Sequence, residues 1–266
     1  WRAYWWSPDS SSIAFYETDS TKVDRFTIVD DAVEPQEVLV TEYPKPGRPN
    51  PDVRLGIASA AGGEPRFVDL SGYTAGSFIV SSVRWWPDSS KICFSVQDRA
   101  QTWLDLCTTS TSGGEPERLL RDRTEAWIEA PAYFQHLEDG TFLLSSERDG
   151  WQHVYRYTGE GELLNRVTEG PWEFRGVVRL DQERGEMYFN CTADSPIGTS
   201  LYAVNLDGSN LRRITTERGT HRTSMSTDGS YIADFWSNAD QPDRAVLLDR
   251  DGQFVRTLDT NPVFEL

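Results

Sequence analysis

Five short stretches of the chain repeat one pattern, a polar turn containing glycine followed by a brief apolar strand: GGEPRFVDL from Gly62, GGEPERLL from Gly113, EGELLNRVT from Glu160, DGSNLRRIT from Asp207 and DGQFVRTLD from Asp251. Taking the second residue of each as marker, Gly63, Gly114, Gly161, Gly208 and Gly252, the intervals are 51, 47, 47 and 44 residues. Self-similarity at roughly 45 to 50 residues is the period of β-propeller blades. It constrains the fold more than any other feature, because a unit of that size cannot bury its own apolar face and must stack on its neighbours.

A second turn recurs inside each unit: PDSSSIAFY at Pro8, PDSSKICFS at Pro87, EDGTFLLSS at Glu138, ERGEMYFNC at Glu183 and TDGSYIADF at Thr227. Its markers, Ser10, Ser89, Gly140, Gly185 and Gly229, precede the first set by 53, 25, 21, 23 and 23 residues. Two turns in register with a third connection between them make four strands per unit. The expected fold is therefore all-β: a β-propeller of about five four-stranded blades, over residues 1–70, 78–121, 127–168, 172–215 and 220–258. A ring short of blades leaves two open sheet edges, so these five are expected to be an arc of a larger propeller. Almost no stretch keeps a 3.6-residue apolar period, so helices are expected to be few and short. The aromatic share of 12% fits sheets stacked face to face, and Trp5, Trp6, Trp85, Trp86, Trp127, Trp151 and Trp172 are read first as filling between blades.

The middle connections are VQDRAQTW at Val96, SSERDGWQHVYRY at Ser145, CTADSPIGTS at Cys191 and WSNADQPDR at Trp236. The second of these reads as a hairpin tip between two apolar strands, with Trp151 packing beneath it. In the first unit the spacing of 53 leaves about 30 extra residues, which fall at 19–53. That insertion holds the alternating run EVLVTEY and the proline-dense YPKPGRPNPD, which is expected to be extended and poor in hydrogen bonds. An excursion of this kind is either a partner contact or a surface loop, and the pattern leaves both open.

Composition excludes several classes of function. A balance of 26 Lys and Arg against 42 Asp and Glu, net −16, repels nucleic acid and anionic lipid. No apolar run reaches the roughly 18 residues that cross a bilayer, and the opening residues lack the pattern of a signal peptide. Beginning at Trp1 without an initiator Met, the sequence is expected to be part of a longer polypeptide. Cys93, Cys107 and Cys191 have no paired metal or redox spacing. Cys93 and Cys107 would face each other across a hairpin centred near Ala100, while a buried free thiol is the commoner fate of a lone strand cysteine. NCT at Asn190 meets the glycosylation pattern but lies in an apparent strand.

No G-x-S-x-G elbow occurs; GYTAG at Gly72 has Thr74 in the serine position and no helix pattern after it, so it reads as a turn. His136, His153 and His221 are far apart and would form a triad only by convergence in space. Zinc, P-loop, dinucleotide and EF-hand spacings are absent from the sequence, so no cofactor or metal is implied. The abundant carboxylates read as a solvated surface rather than a glycosidase pair.

Residues in the blades nevertheless carry a resemblance. WRAYWWSPDSSSIAFYETD, YPKPGRPNPDVRLGI, SSERDGWQHVYRY and VTEGPWE, in that order, resemble consecutive segments of the propeller of the dipeptidyl peptidase IV family, in the prolyl oligopeptidase clan of serine peptidases. The resemblance implies an eight-bladed propeller capping a C-terminal α/β-hydrolase domain in cis that carries Ser, Asp and His. It further implies a secreted or periplasmic peptidase that removes dipeptides with Pro or Ala in second place from peptides with a free N-terminus. A glutamate pair that holds the substrate ammonium group is implied upstream of Trp1, and the catalytic domain beyond Leu266, so the chain alone is expected to be non-catalytic. The insertion at 19–53 resembles the arm that helps to build the family's homodimer. AWIEAPAYF, residues 126–134, matches the stretch that lines the outer substrate pocket; it lacks the family's arginine, which leaves Trp127 and Glu129 as candidate pocket contacts. Two alternatives keep the propeller: a stand-alone periplasmic protein-binding domain, and a related tripeptidyl or acylaminoacyl peptidase.

Overall fold

The computed structural model describes residues 3–74 and 76–262; Trp1 and Arg2 of the WRAYWW stretch and Ala75 of GYTAG lie outside the described residues. Among these residues the protein is all-β, with no helix. Two compact units divide the chain, residues 1–130 and 131–266.

The first unit holds two four-stranded antiparallel sheets and one separate hairpin. One sheet has the order β1 (Tyr4–Trp6), β2 (Ser12–Asp19), β5 (Asp52–Ser59), β6 (Arg66–Phe67). Between β2 and β5 the chain leaves that sheet to form the two-stranded pair β3 (Arg25–Asp30) and β4 (Glu37–Glu42). The other sheet is the meander β7 (Phe78–Trp85), β8 (Lys91–Asp98), β9 (Trp103–Ser110), β10 (Glu117–Arg123). The second unit holds three such meanders. They are β11 (Phe134–His136) to β14 (Leu163–Arg166) through β12 (Phe142–Ser146) and β13 (His153–Tyr157); β15 (Phe174–Asp181) to β18 (Arg212–Arg213) through β16 (Glu186–Cys191) and β17 (Ser200–Asn205); and β19 (Thr220–Met225) to β22 (Phe254–Asp259) through β20 (Tyr231–Asn238) and β21 (Gln241–Asp249). Five four-stranded sheets of this kind are propeller blades.

The repeated turns have a common physical cause. All ten marker residues, Ser10 and Ser89 included, have φ between 60° and 103°, the left-handed region. In four of the five inner turns an Asp carboxylate caps the amide two residues on: Asp9 to Ser11 and Asp88 to Ser90 at 3.0 Å, Asp139 to Thr141 at 3.0 Å and Asp228 to Ser230 at 3.1 Å. Glycine is demanded most strongly at Gly208 and Gly252. A Cβ there would lie 2.5 Å from the Arg166 carbonyl oxygen and 2.3 Å from that of Ile214, each in the preceding blade. The repeat is thus a record of the left-handed backbone that every one of these turns adopts, with close approach to the preceding blade an added demand at Gly208 and Gly252.

Between the sheets lie apolar layers. In the first unit Ala14, Leu55 and Ile57 pack with Val80, Ile92 and Phe94. In the second, Leu143 and Val154 meet Phe174, Met187 and Phe189, while Tyr188 and Leu201 meet Ile214 and Ile232. Trp85 and Trp172 fill these layers as expected. Trp6, Trp127 and Trp151 do not, being 49%, 59% and 41% exposed. The reading of Trp151 is corrected for a specific reason. At the tip of the β12–β13 hairpin the aromatic platform is taken by Arg148, whose guanidinium sits 4.7 Å from the Tyr155 ring centre, while the Tyr155 hydroxyl donates to Asp149.

All three cysteines are buried free thiols. In the β8–β9 pair Cys93 stands opposite Thr108 and Phe94 opposite Cys107, so the hairpin centre lies half a residue beyond Ala100. That offset sends the two sulfurs to opposite faces of the sheet. Burial pushes the Cys107 thiol up to about 11 and the Cys191 thiol up to about 12.

Candidate functional site: the arm and the segment that carries Trp127

The β3–β4 hairpin is the part of the first unit that the blades do not absorb. Its register pairs Phe26 with Thr41, Ile28 with Leu39 and Val29 with Val38. Alternation therefore puts Phe26, Ile28 and Leu39 on one face and Val29, Val38 and Val40 on the other. All six are exposed, with Val38 at 62% and Leu39 at 60%. The root is polar and well tied. Lys22 reaches Asp52 at 2.7 Å, the Arg48 guanidinium forks onto the Asp24 carboxylate, and the Tyr43 amide donates to the Asp24 carbonyl at 2.9 Å. The Arg48 hydrogen bond outweighs desolvation and holds the Asp24 carboxyl below the usual carboxylate range.

Against this root stands the turn between β8 and β9, residues 98–102. Arg99 donates from both terminal nitrogens, to the carbonyl oxygens of Arg48 and Lys45 in the proline-dense return. Asp98 stiffens the turn by accepting from the Thr102 amide at 2.7 Å, the Thr102 hydroxyl at 2.9 Å and the Trp103 amide at 3.0 Å. Burial opposes ionisation of Asp98, but these donors outweigh it and hold the carboxyl below its ordinary range. Gln101 completes the turn at φ 58°. Next to it Trp103 stacks on Tyr73 at 5.9 Å and carries the Arg121 guanidinium 4.5 Å above its ring centre.

The same turn holds the segment with the two candidate pocket residues. Ile128 donates its amide to the Gln101 carbonyl at 2.7 Å, and its own carbonyl accepts from the side-chain amides of Gln97 and Gln101, each at 3.4 Å. With Ile128 pinned at both backbone groups, Trp127 and Glu129 on either side are exposed. An exposed indole beside a carboxylate suits an apolar group carrying a positive charge. Gln97, Arg99 and Gln101 were not singled out by sequence; in QDRAQTW they read only as a polar connection, and no periodicity marks a side chain that bonds 27 or more residues away.

His221 and His153 hold local structural bonds instead. His221 Nδ1 lies 2.9 Å from both Asp234 oxygens and Nε2 lies 3.0 Å from the Glu217 carbonyl, which leaves no nitrogen for a nucleophile. His153 lies between the Thr168 hydroxyl and the Gly170 carbonyl, and burial lowers its pKa. A cavity of about 670 Å³ in the second unit, between the turns at 137–139, 182–185 and 205–207, is lined by Asp139, Arg156, Gln182 and Asp207. Two of its carboxylates are engaged locally, Asp139 by Arg156 and Asp207 by the amide and hydroxyl of Ser209. Among the described residues no group of three or more metal-ligating side chains comes together, and no helix is long and apolar enough to cross a membrane.

Comparison with known proteins agrees with this architecture. The family model described as "Dipeptidyl peptidase IV (DPP IV) N-terminal region" matches residues 1–243. A protein of Emericella nidulans named "Probable dipeptidyl peptidase 4" is 28% identical over 76% of this chain and 29% of its own length. One of the same name from Aspergillus flavus is 22% identical over 97% of this chain and 36% of its own. The chain thus spans about a third of the length of these curated relatives. The crystal structure of Porphyromonas gingivalis dipeptidyl peptidase 4 superposes with a TM-score of 0.83 and 21% identity, over 98% of this chain and 37% of that one.

Proposed function

Since the chain belongs to the dipeptidyl peptidase IV N-terminal region family, we propose that it is the substrate-gating and dimerisation propeller of a serine exopeptidase that removes N-terminal dipeptides with Pro or Ala in second place. The observation that carries this reading is the arm: a hairpin with exposed apolar residues on both faces, rooted by ion pairs, in a propeller of this family. An exposed apolar hairpin on a chain of net charge −16 is a surface made to be covered, and a second copy of the same arm is its proposed partner.

Under this reading the blades supply no bond-breaking group. A hydrolase domain in cis provides the nucleophile, and the propeller admits the peptide and positions its free amine. Trp127 and Glu129 contact the substrate at the outer part of the pocket, where the indole covers apolar side chains and the carboxylate favours cationic ones. The proposed location is the periplasm or the exterior of the cell.

The test is a peptidase assay of the full-length protein beside the isolated 1–266 chain, using peptides with Pro or Ala in second place and either a free or an acetylated N-terminus. Dipeptide release from the free peptides alone, with the isolated chain inert, is the expected result. Absence of dipeptide release from the full-length protein, or equal cleavage of acetylated peptides, would contradict the reading.

A further inference from the structure

One short turn touches both parts of the proposed site. Residues 98–102 grip the arm root through Arg99, which donates to the carbonyls of Lys45 and Arg48, and grip the pocket segment through Gln101, whose backbone carbonyl and side-chain amide both bond Ile128. The two contacts lie two residues apart in a turn whose shape is fixed by three bonds to Asp98 and by the left-handed Gln101. Arg99 and Gln101 are thus joined by a short stretch of backbone braced at Asp98, which gives a displacement of the arm root that pulls on the Arg99 fork a short path to Ile128 and hence to Trp127 and Glu129.

We infer that the β8–β9 turn couples the arm to the substrate-facing segment, with Arg99 as the positioning residue, so that covering the arm by a second copy orders Trp127 and Glu129. This rests on the functional reading above. It goes beyond it in naming the element that connects assembly to specificity, which neither the arm nor the pocket stretch discloses alone. A guanidinium is required because two carbonyl oxygens three residues apart, on Lys45 and Arg48, are met by one planar fork, which the single ammonium of lysine reproduces only in part.

Hydrogen exchange on the full-length protein tests the coupling directly. In Arg99→Ala the Ile128 amide is expected to exchange about tenfold faster, the scale of losing hydrogen bonds that hold a local structure closed. The amides of Phe94 and Cys107, which pair in the β8–β9 ladder, are expected to keep their native rates. Arg99→Lys, which retains one donor head without the fork, is expected to fall between wild type and Ala. If Arg99→Ala also loosens the ladder, Arg99→Lys alone decides, and acceleration at Ile128 with an intact ladder remains the expected result. An unchanged Ile128 rate while residues 43–50 loosen would overturn the inference. Loss of dimerisation on removing the arm is a separate measurement, so failure of the dimer reading and failure of the coupling are told apart. Where the protein cleaves peptides, Arg99→Ala is further expected to raise KM several-fold with kcat retained, since it disturbs an outer contact and no reacting group.

Discussion

The blades and the arm are made of similar hairpins that meet opposite fates. In β16 the consecutive residues Met187, Tyr188 and Phe189 are all fully buried, because β15 and β17 flank the strand and other blades cover both of its faces. In the arm, Ile28 and Leu39 stand opposite each other in perfect register and remain 44% and 60% exposed. Backbone pairing is the same in both; what differs is the layer on either side. A two-stranded hairpin by itself is marginal in water, and this one is held at its root by Lys22–Asp52, Arg48–Asp24 and the Arg99 fork rather than by a core. Stability therefore resides in the blades, and the arm is left free to serve a contact.

Substitutions should separate the two regions by size of effect. Phe189→Ala removes a fully buried ring that stacks on Trp172 at 5.9 Å, and is expected to cost about 3–5 kcal/mol, read from denaturant midpoints. A loss under about 1 kcal/mol would show that the layer between the third and fourth blades is loosely packed. Gly252→Ala puts a side chain at φ 83° and 2.3 Å from the Ile214 carbonyl oxygen, so a loss of about 1–3 kcal/mol is expected. If that variant melts like wild type, close approach to the preceding blade is not what demands glycine at this turn.

Acid should act on the blades through their inner turns. The Ser7 hydroxyl and Ser11 hold Asp9 at about 2, and the Ser226 hydroxyl and Ser230 hold Asp228 at about 2, both below the ordinary 3.8. A carboxyl depressed in the folded state stabilises it fully above the unfolded value, and that contribution is lost as pH falls through the folded one. Melting temperature is therefore expected to be steady above about pH 5 and to drop between about pH 4 and 2, with Asp228→Asn flattening part of the drop. A melting temperature that rises with acid over that window would contradict the assignment. The smallest effect on stability is expected from Leu39→Ser in the arm, within about 0.5 kcal/mol by thermal melting, as befits an exposed site. A larger loss would mean that the arm is packed against something in the free protein.

Which of these features the sequence disclosed follows from how local their causes are. The turn markers were legible because a left-handed backbone restricts residue choice at single positions, and the same restriction recurs in every blade. The insertion was legible as an interval of 53 where its equivalents run from 21 to 25. Its apolar exposure was not, since EVLVTEY alternates as any half-buried strand does. The pairing of Cys93 with Cys107 turned on half a residue of register, which no spacing rule resolves. Trp151 looked like packing because indoles are usually buried, and only the position of Arg148 over Tyr155 shows why this one is not. Trp127 and Glu129 came from resemblance; what makes them a unit, Ile128 held by Gln97 and Gln101, depends on contacts across the β8–β9 turn.

The claim that the arm serves assembly while the blades carry stability is tested most directly by sedimentation equilibrium of the full-length protein with and without residues 22–50, closed by a short Gly-containing linker. The account predicts a dimer that becomes a monomer, with its melting temperature essentially retained. An unchanged mass, or a monomer that has also lost its cooperative melt, would contradict it.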